Sequence, residues 1–219
     1  MRVSSPWHFH SKNFHLRLKL DSMINLEKRF SLNSNDYFTT DTNEILITFS
    51  DVVSSINETD KIYYHEVIIK CKVQYKNQTY YYPIITFVDH AYSIIRGYYL
   101  GFEKYISQIG ISEKSICVNN GFVNFFADVE KTENDNYQQF NTYPFILFRN
   151  WKFDDEIMKN DIVTLSTRDY VAKEVASFNI SEKDLNKILD EIEINPPSVN
   201  EVQKFYVEDE FVLDGVTVI

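Results

Sequence analysis

The 219-residue sequence has few glycines, prolines and cysteines and no long uninterrupted apolar run. Five Gly and five Pro argue against a linker-rich chain. The two cysteines, Cys71 and Cys117, fit no metal-ligand spacing, so we expect reduced thiols. Charged residues interrupt the most apolar stretch, residues 83–102, which argues against a membrane span. The N-terminal segment lacks the apolar core of a secretory signal, and we expect a cytoplasmic protein.

Basic residues are also in the minority, with 22 Lys and Arg against 32 Asp and Glu, which gives a formal charge of −10. Phosphate backbones would repel such a surface, and the lysines form no local patch, so we expect no nucleic-acid partner. The nucleophile-elbow, phosphate-loop and H-E-x-x-H motifs are all missing from the sequence. His8, His10 and His15 have no Cys or carboxylate beside them in a ligand pattern, so we expect no metal site.

Aromatic side chains are abundant, since 17 Phe and 15 Tyr contribute to an aromatic share of 16%. They can fill a large core or line a pocket. The length and the lack of repeats or linkers predict one domain over residues 1–219.

The hydrophobic pattern alternates with the period of two that is typical of half-buried strands. Two short helices are expected near residues 90–101, after an Asp89 cap, and over 181–192, after a Ser181 cap. Pro83 suggests a sheet edge or a bulge. A third helix is expected over residues 21–30, and a long polar loop or a frayed hairpin tip over 131–141. Strands are expected over residues 14–20, 44–53, 61–75, 79–88, 115–118, 122–129, 143–151, 161–178 and 205–213.

This order predicts an α+β fold, mainly antiparallel, built on a strongly curved sheet or a closed β-barrel with a few short flanking helices. A doubly wound α/β fold is disfavoured because strands do not alternate regularly with helices. In the 61–75 strand, Glu66 shares a face with Tyr64, Ile68 and Lys70. That face points to solvent in an open sheet and to the interior in a closed barrel, where a carboxylate is a candidate acid or base.

Lys104 lies among aromatic residues in the segment RGYYLGFEKYISQIG. A lysine forms a Schiff base only as the neutral amine, so its pKa must be lowered by burial or by a neighbouring cation. The aromatics could bury it, whereas the adjacent Glu103 would favour the ammonium form. On local sequence alone, a surface lysine is the usual interpretation.

The order of segments resembles the acetoacetate decarboxylase family over nearly the whole chain. The strand and hairpin YYHEVIIKCKVQYKNQTYYYPIITFVDH precede GYYLGFEKY, which resembles the family's Gly-Phe-Pro-Lys-Lys signature. The C-terminal segment INPPSVNEVQKFYVEDEFVLDGVTVI resembles the closing strand of the family, and FHSKNF its first strand, which carries a basic residue.

The resemblance implies that Lys104 is the Schiff-base lysine, Glu66 a pocket glutamate and Lys12 the counterpart of a substrate-side arginine. Together with the many aromatic residues that could be exposed, it also suggests a homo-oligomer, and it implies no metal or organic cofactor. Tyr105 stands where the family has a second lysine, a cation thought to lower the pKa of the nucleophile; acetoacetate decarboxylase is the standard example of that effect. Without a one-residue deletion in the alignment, Tyr105 would occupy the nucleophile position. A second pocket acid could correspond only to Ser50 or Asp51.

Three functions follow as hypotheses. The first is a divergent Schiff-base lyase acting on a small keto acid by decarboxylation or by aldol or dehydration chemistry, with Lys104 as nucleophile, Glu66 as proton carrier and Lys12 as carboxylate contact. The second is a non-catalytic small-molecule-binding or structural member of the same fold. The third is a β-rich interaction domain unrelated to the family.

Overall fold

The computed structural model describes residues 6–21, 43–57, 59–121, 123–133, 142–153, 156–191 and 199–218. The helix predicted over 21–30 and most of the loop predicted over 131–141 lie outside these residues. The described residues form strands β1 (Trp7–Leu20), β2 (Glu44–Ser55), β3 (Lys61–Tyr75), β4 (Gln78–Val88), β5 (Lys104–Ile106), β6 (Gln108–Ile111), β7 (Ser115–Asn119), β8 (Asn124–Glu133), β9 (Ile146–Phe153), β10 (Glu156–Ile180) and β11 (Val199–Val218), and helices α1 (Ala91–Leu100) and α2 (Glu182–Glu191).

The strands form one mixed sheet in the order β5-β4-β3-β2-β1-β11-β10-β8-β7-β6, and β9 pairs with β10 at the side. Neighbouring strands are antiparallel, except that β5 runs parallel to β4. The sheet is strongly curved. Among the described residues no ladder joins β5 to β6, so it is not a closed barrel. The first and last strands of the order are nevertheless consecutive in the chain, with only Ser107 between them.

The main hydrophobic core lies on one face of this sheet. Phe14 of β1 contacts Phe178 of β10 and Tyr206 of β11, with ring centroids 5.1 and 4.8 Å apart. Phe49 of β2 meets Phe125 of β8 at 5.9 Å. The curvature therefore brings β8 over the β1–β3 half of the sheet. Other buried members of this core are Leu16, Leu18, Val67, Ile69, Cys71, Val73, Ile116 and Val118.

The alternation predicted for β1 and β3 is confirmed, because the residues between these core positions point to the opposite face. That second face carries polar side chains and is nevertheless buried: Asn13 of β1, Ser50 of β2 and Lys70 of β3 are all at most 6% exposed. Both faces of the central strands are thus covered, which explains why few positions along β2 and β3 are exposed.

The N-cap of helix α1 is His90 and not Asp89, the cap predicted from the sequence. The His90 ring accepts a hydrogen bond from the Tyr92 backbone N–H at 3.1 Å. Asp89 accepts hydrogen bonds from the His65 backbone N–H and ring Nδ1 at 2.8 and 2.7 Å instead. The helix ends at Gly101, whose φ of 101° is the left-handed conformation that glycine adopts most easily.

The cap predicted for α2 is confirmed, since the Asp184 backbone N–H donates to Ser181 Oγ at 3.0 Å. Pro83 lies at a β-bulge, as predicted: the register shifts so that Ile69 faces Ile85 while Lys70 faces Pro83.

Strands β5 and β6 were not predicted, because three and four residues are too few to show a period. No helix within the described ranges is long and apolar enough to cross a membrane.

Candidate active site

A cavity of about 360 Å³ lies against the second face of the sheet. Alternate residues of β1, β2, β3, β10 and β11 line it, and residues 142–145 complete its wall. Strand β3 contributes Tyr64, Glu66, Ile68 and Lys70. The sequence left open whether this face of β3 meets solvent or an interior; it meets the cavity.

Glu66 and Lys104 form a buried ion pair at the wall of the cavity. The Glu66 side chain is 11% exposed and lines the cavity, and the Lys104 side chain is 8% exposed. Lys104 Nζ donates to Glu66 Oε2 and also to Ser93 Oγ of α1 at 3.1 Å. Lys104 is not itself among the lining residues, so its amine meets the cavity through Glu66.

Two local features place Lys104. Strand β5 pairs in parallel with the end of β4, so that Lys104 is level with Thr86. Helix α1 runs over the lysine side chain at Gly97, where an added Cβ would overlap Cε and Cδ of Lys104. The lack of a side chain at Gly97 therefore opens the path by which the amine reaches Glu66.

Burial is the largest influence on the Lys104 amine and lowers its pKa. The Glu66 carboxylate opposes this shift through its charge and its hydrogen bond, while the Arg96 guanidinium lowers the pKa further. The predicted influence of Glu103 is not observed, because Glu103 is exposed and accepts a hydrogen bond from the Tyr105 hydroxyl instead. Tyr105 is 40% exposed, so Lys104, and not Tyr105, is the residue of this segment that reaches the site.

Arg96 is the cation near Lys104 that the sequence reasoning did not find. It is 3% exposed and donates hydrogen bonds to Ser54 Oγ at 2.8 Å and to the Tyr64 hydroxyl at 3.0 Å. Its guanidinium carbon lies 4.6 Å from the centre of the Phe9 ring. Since Tyr64 and Phe9 line the cavity, Arg96 supports the wall from behind.

Lys12 is not brought to this cavity. It is exposed, whereas its neighbours Ser11 and Asn13 line the cavity, because successive side chains of a strand point to opposite faces. Of the two positions considered for a second pocket acid, Ser50 lines the cavity and Asp51 does not.

Lys70 is the lysine that does line the cavity, and the sequence reasoning did not select it. It is 6% exposed, and its Nζ lies 5.1 Å from the Tyr81 ring centre and 5.0 Å from that of Phe145. Burial lowers its pKa to about 8, while the charges of Asp209 and Glu66 act in the opposite direction. The signal was present in the sequence, since Lys70 shares the alternating face of Glu66.

Asp209 of β11 is a second acidic residue in the cavity wall and was also missed. It accepts a hydrogen bond from Ser11 Oγ. Ser11 Oγ in turn accepts from Asn13 Nδ2 at 3.1 Å, and Asn13 Oδ1 accepts from Ser50 Oγ at 2.6 Å. Burial raises the pKa of Asp209, and its hydrogen bond with Ser11 opposes that shift.

The three N-terminal histidines do not converge. His8 and His10 are exposed, while His15 is buried, lines the cavity and shares a 3.0 Å hydrogen bond between its Nδ1 and Thr48 Oγ1. Burial lowers the His15 pKa well below its usual value, so the imidazole is neutral at pH 7. Within the described part of the chain, no group of three or more His, Cys, Asp or Glu side chains is placed to hold a metal ion.

Comparisons of sequence and of structure give different results. No family model and no curated protein sequence matches the chain. Solved structures do match: the enduracididine biosynthesis enzyme MppR complexed with pyruvate aligns with a TM-score of 0.73 at 13% identity, covering 100% of this chain and 91% of that one. An acetoacetate decarboxylase-like enzyme from Sphingomonas wittichii RW1 gives 0.72 at 13% identity, with coverage of 100% and 94%. The acetoacetate decarboxylase of Legionella pneumophila gives 0.71 at 15% identity, with coverage of 100% and 90%.

These matches extend over the whole chain at 13–15% identity, so they show a shared fold without appreciable sequence identity. This shared fold does not favour the third hypothesis, a β-rich interaction domain unrelated to the family. The chain has the acetoacetate decarboxylase-like fold, as the segment order in its sequence predicted.

Proposed function

We propose that the protein is a divergent enzyme of the acetoacetate decarboxylase-like group that forms a Schiff base between Lys104 and the carbonyl of a small keto acid. The observation that carries the proposal is the buried Lys104 amine on Glu66, a carboxylate that lines the cavity. Buried lysine and carboxylate pairs of this kind are typical of sites that use general acid–base and covalent chemistry.

The proposed reaction begins with transfer of a proton from the Lys104 ammonium to Glu66. Burial and Arg96, both of which lower the lysine pKa, favour this transfer. A change of rotamer brings the neutral amine past Glu66 to the substrate carbonyl carbon, where the C–N bond forms. Glu66 returns its proton to the carbinolamine oxygen, which leaves as water, and the iminium remains.

The iminium then accepts the electron pair of the bond that breaks. Loss of CO₂ or abstraction of a proton beside the iminium carbon gives an enamine, and protonation or addition to a second carbonyl followed by hydrolysis frees Lys104. Because the iminium is the electron sink, the proposal calls for no metal or organic cofactor. One structural neighbour, MppR, was solved with the condensation product of pyruvate and imidazole 4-carboxaldehyde, which agrees with carbonyl chemistry in this fold.

Borohydride trapping tests the proposal. The protein is incubated with acetoacetate, pyruvate and other keto acids, reduced with borohydride, and the adduct is mapped by mass spectrometry. We expect an adduct on Lys104 that Lys104→Ala abolishes and that Lys114→Ala, a change at an exposed lysine, leaves intact. A panel without any adduct, or an adduct that survives Lys104→Ala, would overturn the proposal.

A non-catalytic ligand-binding protein is the second candidate, and the Lys104–Glu66 ion pair favours it, because a paired ammonium is not nucleophilic. It predicts that keto acids bind in the cavity without any trapped adduct. Calorimetry alongside the trapping experiment separates the two functions, since only the enzyme gives both binding and an adduct.

We also propose that the protein assembles as a homo-oligomer, as the sequence resemblance implied. Large apolar side chains of α1 and β5 are exposed, among them Tyr98 at 70% and Ile106 at 58%. An exposed apolar area of this kind is typical of protein–protein contacts.

A further inference from the structure

Lys70 is a buried cation with no protein partner among the described residues. It is 6% exposed, lines the cavity, and has neither a hydrogen bond nor an ion pair with any side chain that the structure describes. Its aromatic contacts stabilise a cation, but they satisfy none of the three ammonium donors. An ammonium held in this way is costly unless an anion or water meets it from the cavity.

The charges around the cavity point to an anion. The wall itself carries Glu66, Lys70 and Asp209. Lys104 is bonded to Glu66, and Arg96 is bonded to Tyr64 of the wall. Three positive and two negative groups leave one uncompensated positive charge, which a single carboxylate would neutralise.

The position of Lys70 also restricts the length of the ligand. Glu66 and Lys70 are four residues apart on the same face of β3. At about 3.3 Å per residue, their Cα atoms are roughly 13 Å apart. A ligand with its carbonyl at the Glu66 end and its carboxylate at Lys70 therefore needs intervening carbons between the two groups.

We propose that Lys70 binds the carboxylate of a monoanionic ligand whose carbonyl is separated from that carboxylate by at least one carbon. The carbonyl end of this ligand rests on the proposed function, while the carboxylate end rests on Lys70 alone. Lys70 is then the residue that selects acids over uncharged ketones, a role that the sequence resemblance had implied for Lys12.

Three small molecules test the carbonyl end and the carboxylate end of the proposed ligand separately. Pentanoate carries a carboxylate without a carbonyl, 2-pentanone carries the carbonyl without a carboxylate, and levulinate carries both. Calorimetry measures pentanoate binding, and borohydride trapping measures the reaction of the other two. The variants are Lys70→Met, Lys12→Met and, as a control on the same strand, Lys61→Met at an exposed position.

On the unaltered protein, we expect pentanoate to bind and levulinate to be trapped at least tenfold more efficiently than 2-pentanone. Lys70→Met should weaken the binding of pentanoate by about tenfold to hundredfold, the usual effect of losing a hydrogen bond to a charged group, and should reduce the preference for levulinate over 2-pentanone by the same factor. A cooperative unfolding transition in urea shows that the variant is folded. Lys12→Met and Lys61→Met should have no effect on any probe.

The other possible results distinguish a failure of the Lys70 subsite from a failure of the Schiff-base function. If pentanoate fails to bind, if Lys70→Met has no effect on it, or if Lys12→Met weakens it instead, the Lys70 subsite is overturned even where Lys104 is trapped. If pentanoate binds in a Lys70-dependent manner but no ketone is trapped, the subsite stands and the Schiff-base function fails. An adduct on Lys70 would overturn both, since the residue would then be the nucleophile.

Discussion

Lys70 carries its charge into the wall of the cavity, away from bulk solvent, and burial lowers its pKa to about 8. The unfolded chain keeps the usual lysine pKa, so at pH 7 the folded state holds this proton less favourably than the unfolded state does. A difference of this size corresponds to roughly 1–3 kcal/mol of lost stability. We therefore expect Lys70→Met to raise the free energy of unfolding at pH 7 by that amount, as measured by urea denaturation.

The pH dependence of this stability difference tests whether the Lys70 pKa is lowered in the folded protein. A lowered folded pKa means that the penalty is complete below pH 8 and declines as the pH rises toward the unfolded pKa. The stability advantage of Lys70→Met should accordingly shrink between pH 7 and pH 9.5. For Lys61→Met, at an exposed position of β3, the free energy of unfolding should stay within about 0.5 kcal/mol of that of the original protein at both pH 7 and pH 9.5. An advantage that grows with pH would contradict the assignment.

Carboxylate binding should have its own pH dependence. The groups that face Lys70 are Glu66 on its own strand, Asp209 on β11, neutral His15 on β1 and Tyr81 on β4. Burial raises the Tyr81 pKa, so its phenol stays neutral. Because only the ammonium form attracts an anion, the dissociation constant of pentanoate should rise about tenfold per pH unit above pH 8. A constant affinity from pH 6.5 to pH 9.5 would exclude Lys70 as the contact.

Helix α1 contributes to the site because Gly97 leaves space for the Lys104 side chain. Gly97 lies inside the helix, where alanine would be favoured by about 1 kcal/mol, yet its Cβ would overlap the Lys104 side chain. We expect Gly97→Ala to displace Lys104 from Glu66 and to abolish borohydride trapping. The free energy of unfolding should fall by about 2–4 kcal/mol, because the gain in helix propensity offsets only part of the cost of leaving the buried Glu66 carboxylate without its partner.

The matched control for that change is on the same helix. Tyr99→Ala also places an alanine in α1, but at a position 43% exposed, and should leave the adduct intact. Trapping by Gly97→Ala at the original level would show that the helix does not restrict the lysine.

The sequence predicted elements that have a period and missed those that depend on distant partners. Alternation along β3 correctly placed Glu66 and Lys70 on one face, but which face is interior depends on residues 142–145 and α1, far away in the chain. Lys12 was selected by its resemblance to a motif, and the alternation of β1 turned it outward. Strand β5 is three residues long and is defined only by its parallel pairing with β4.

At the scale of the molecule, the apolar surface formed by Ile95, Tyr98 and Tyr99 of α1 with Tyr105 and Ile106 of β5 should be an interface. Strand β5 is the end of the described sheet order, so its outer edge offers unpaired backbone groups as well. We expect light scattering to show an oligomer that Ile106→Glu dissociates. Phe126→Glu, at a position 52% exposed on β8, is the control and should leave the assembly unchanged. A monomeric original protein would contradict this expectation.

The succession of β5, Ser107 and β6 has a mechanical consequence for the site. Covalent bonds hold the two ends of the sheet order together over one residue, at about 3.8 Å per peptide, although no ladder joins them among the described residues. Ser107 is also anchored to β4 by a 2.8 Å hydrogen bond from its N–H to the Val88 carbonyl. If β6–β8 moved away from β1–β4, the chain would pull on β5 and draw Lys104 from Glu66. Widening of the sheet at this edge is therefore expected to weaken the contact between the Lys104 amine and Glu66.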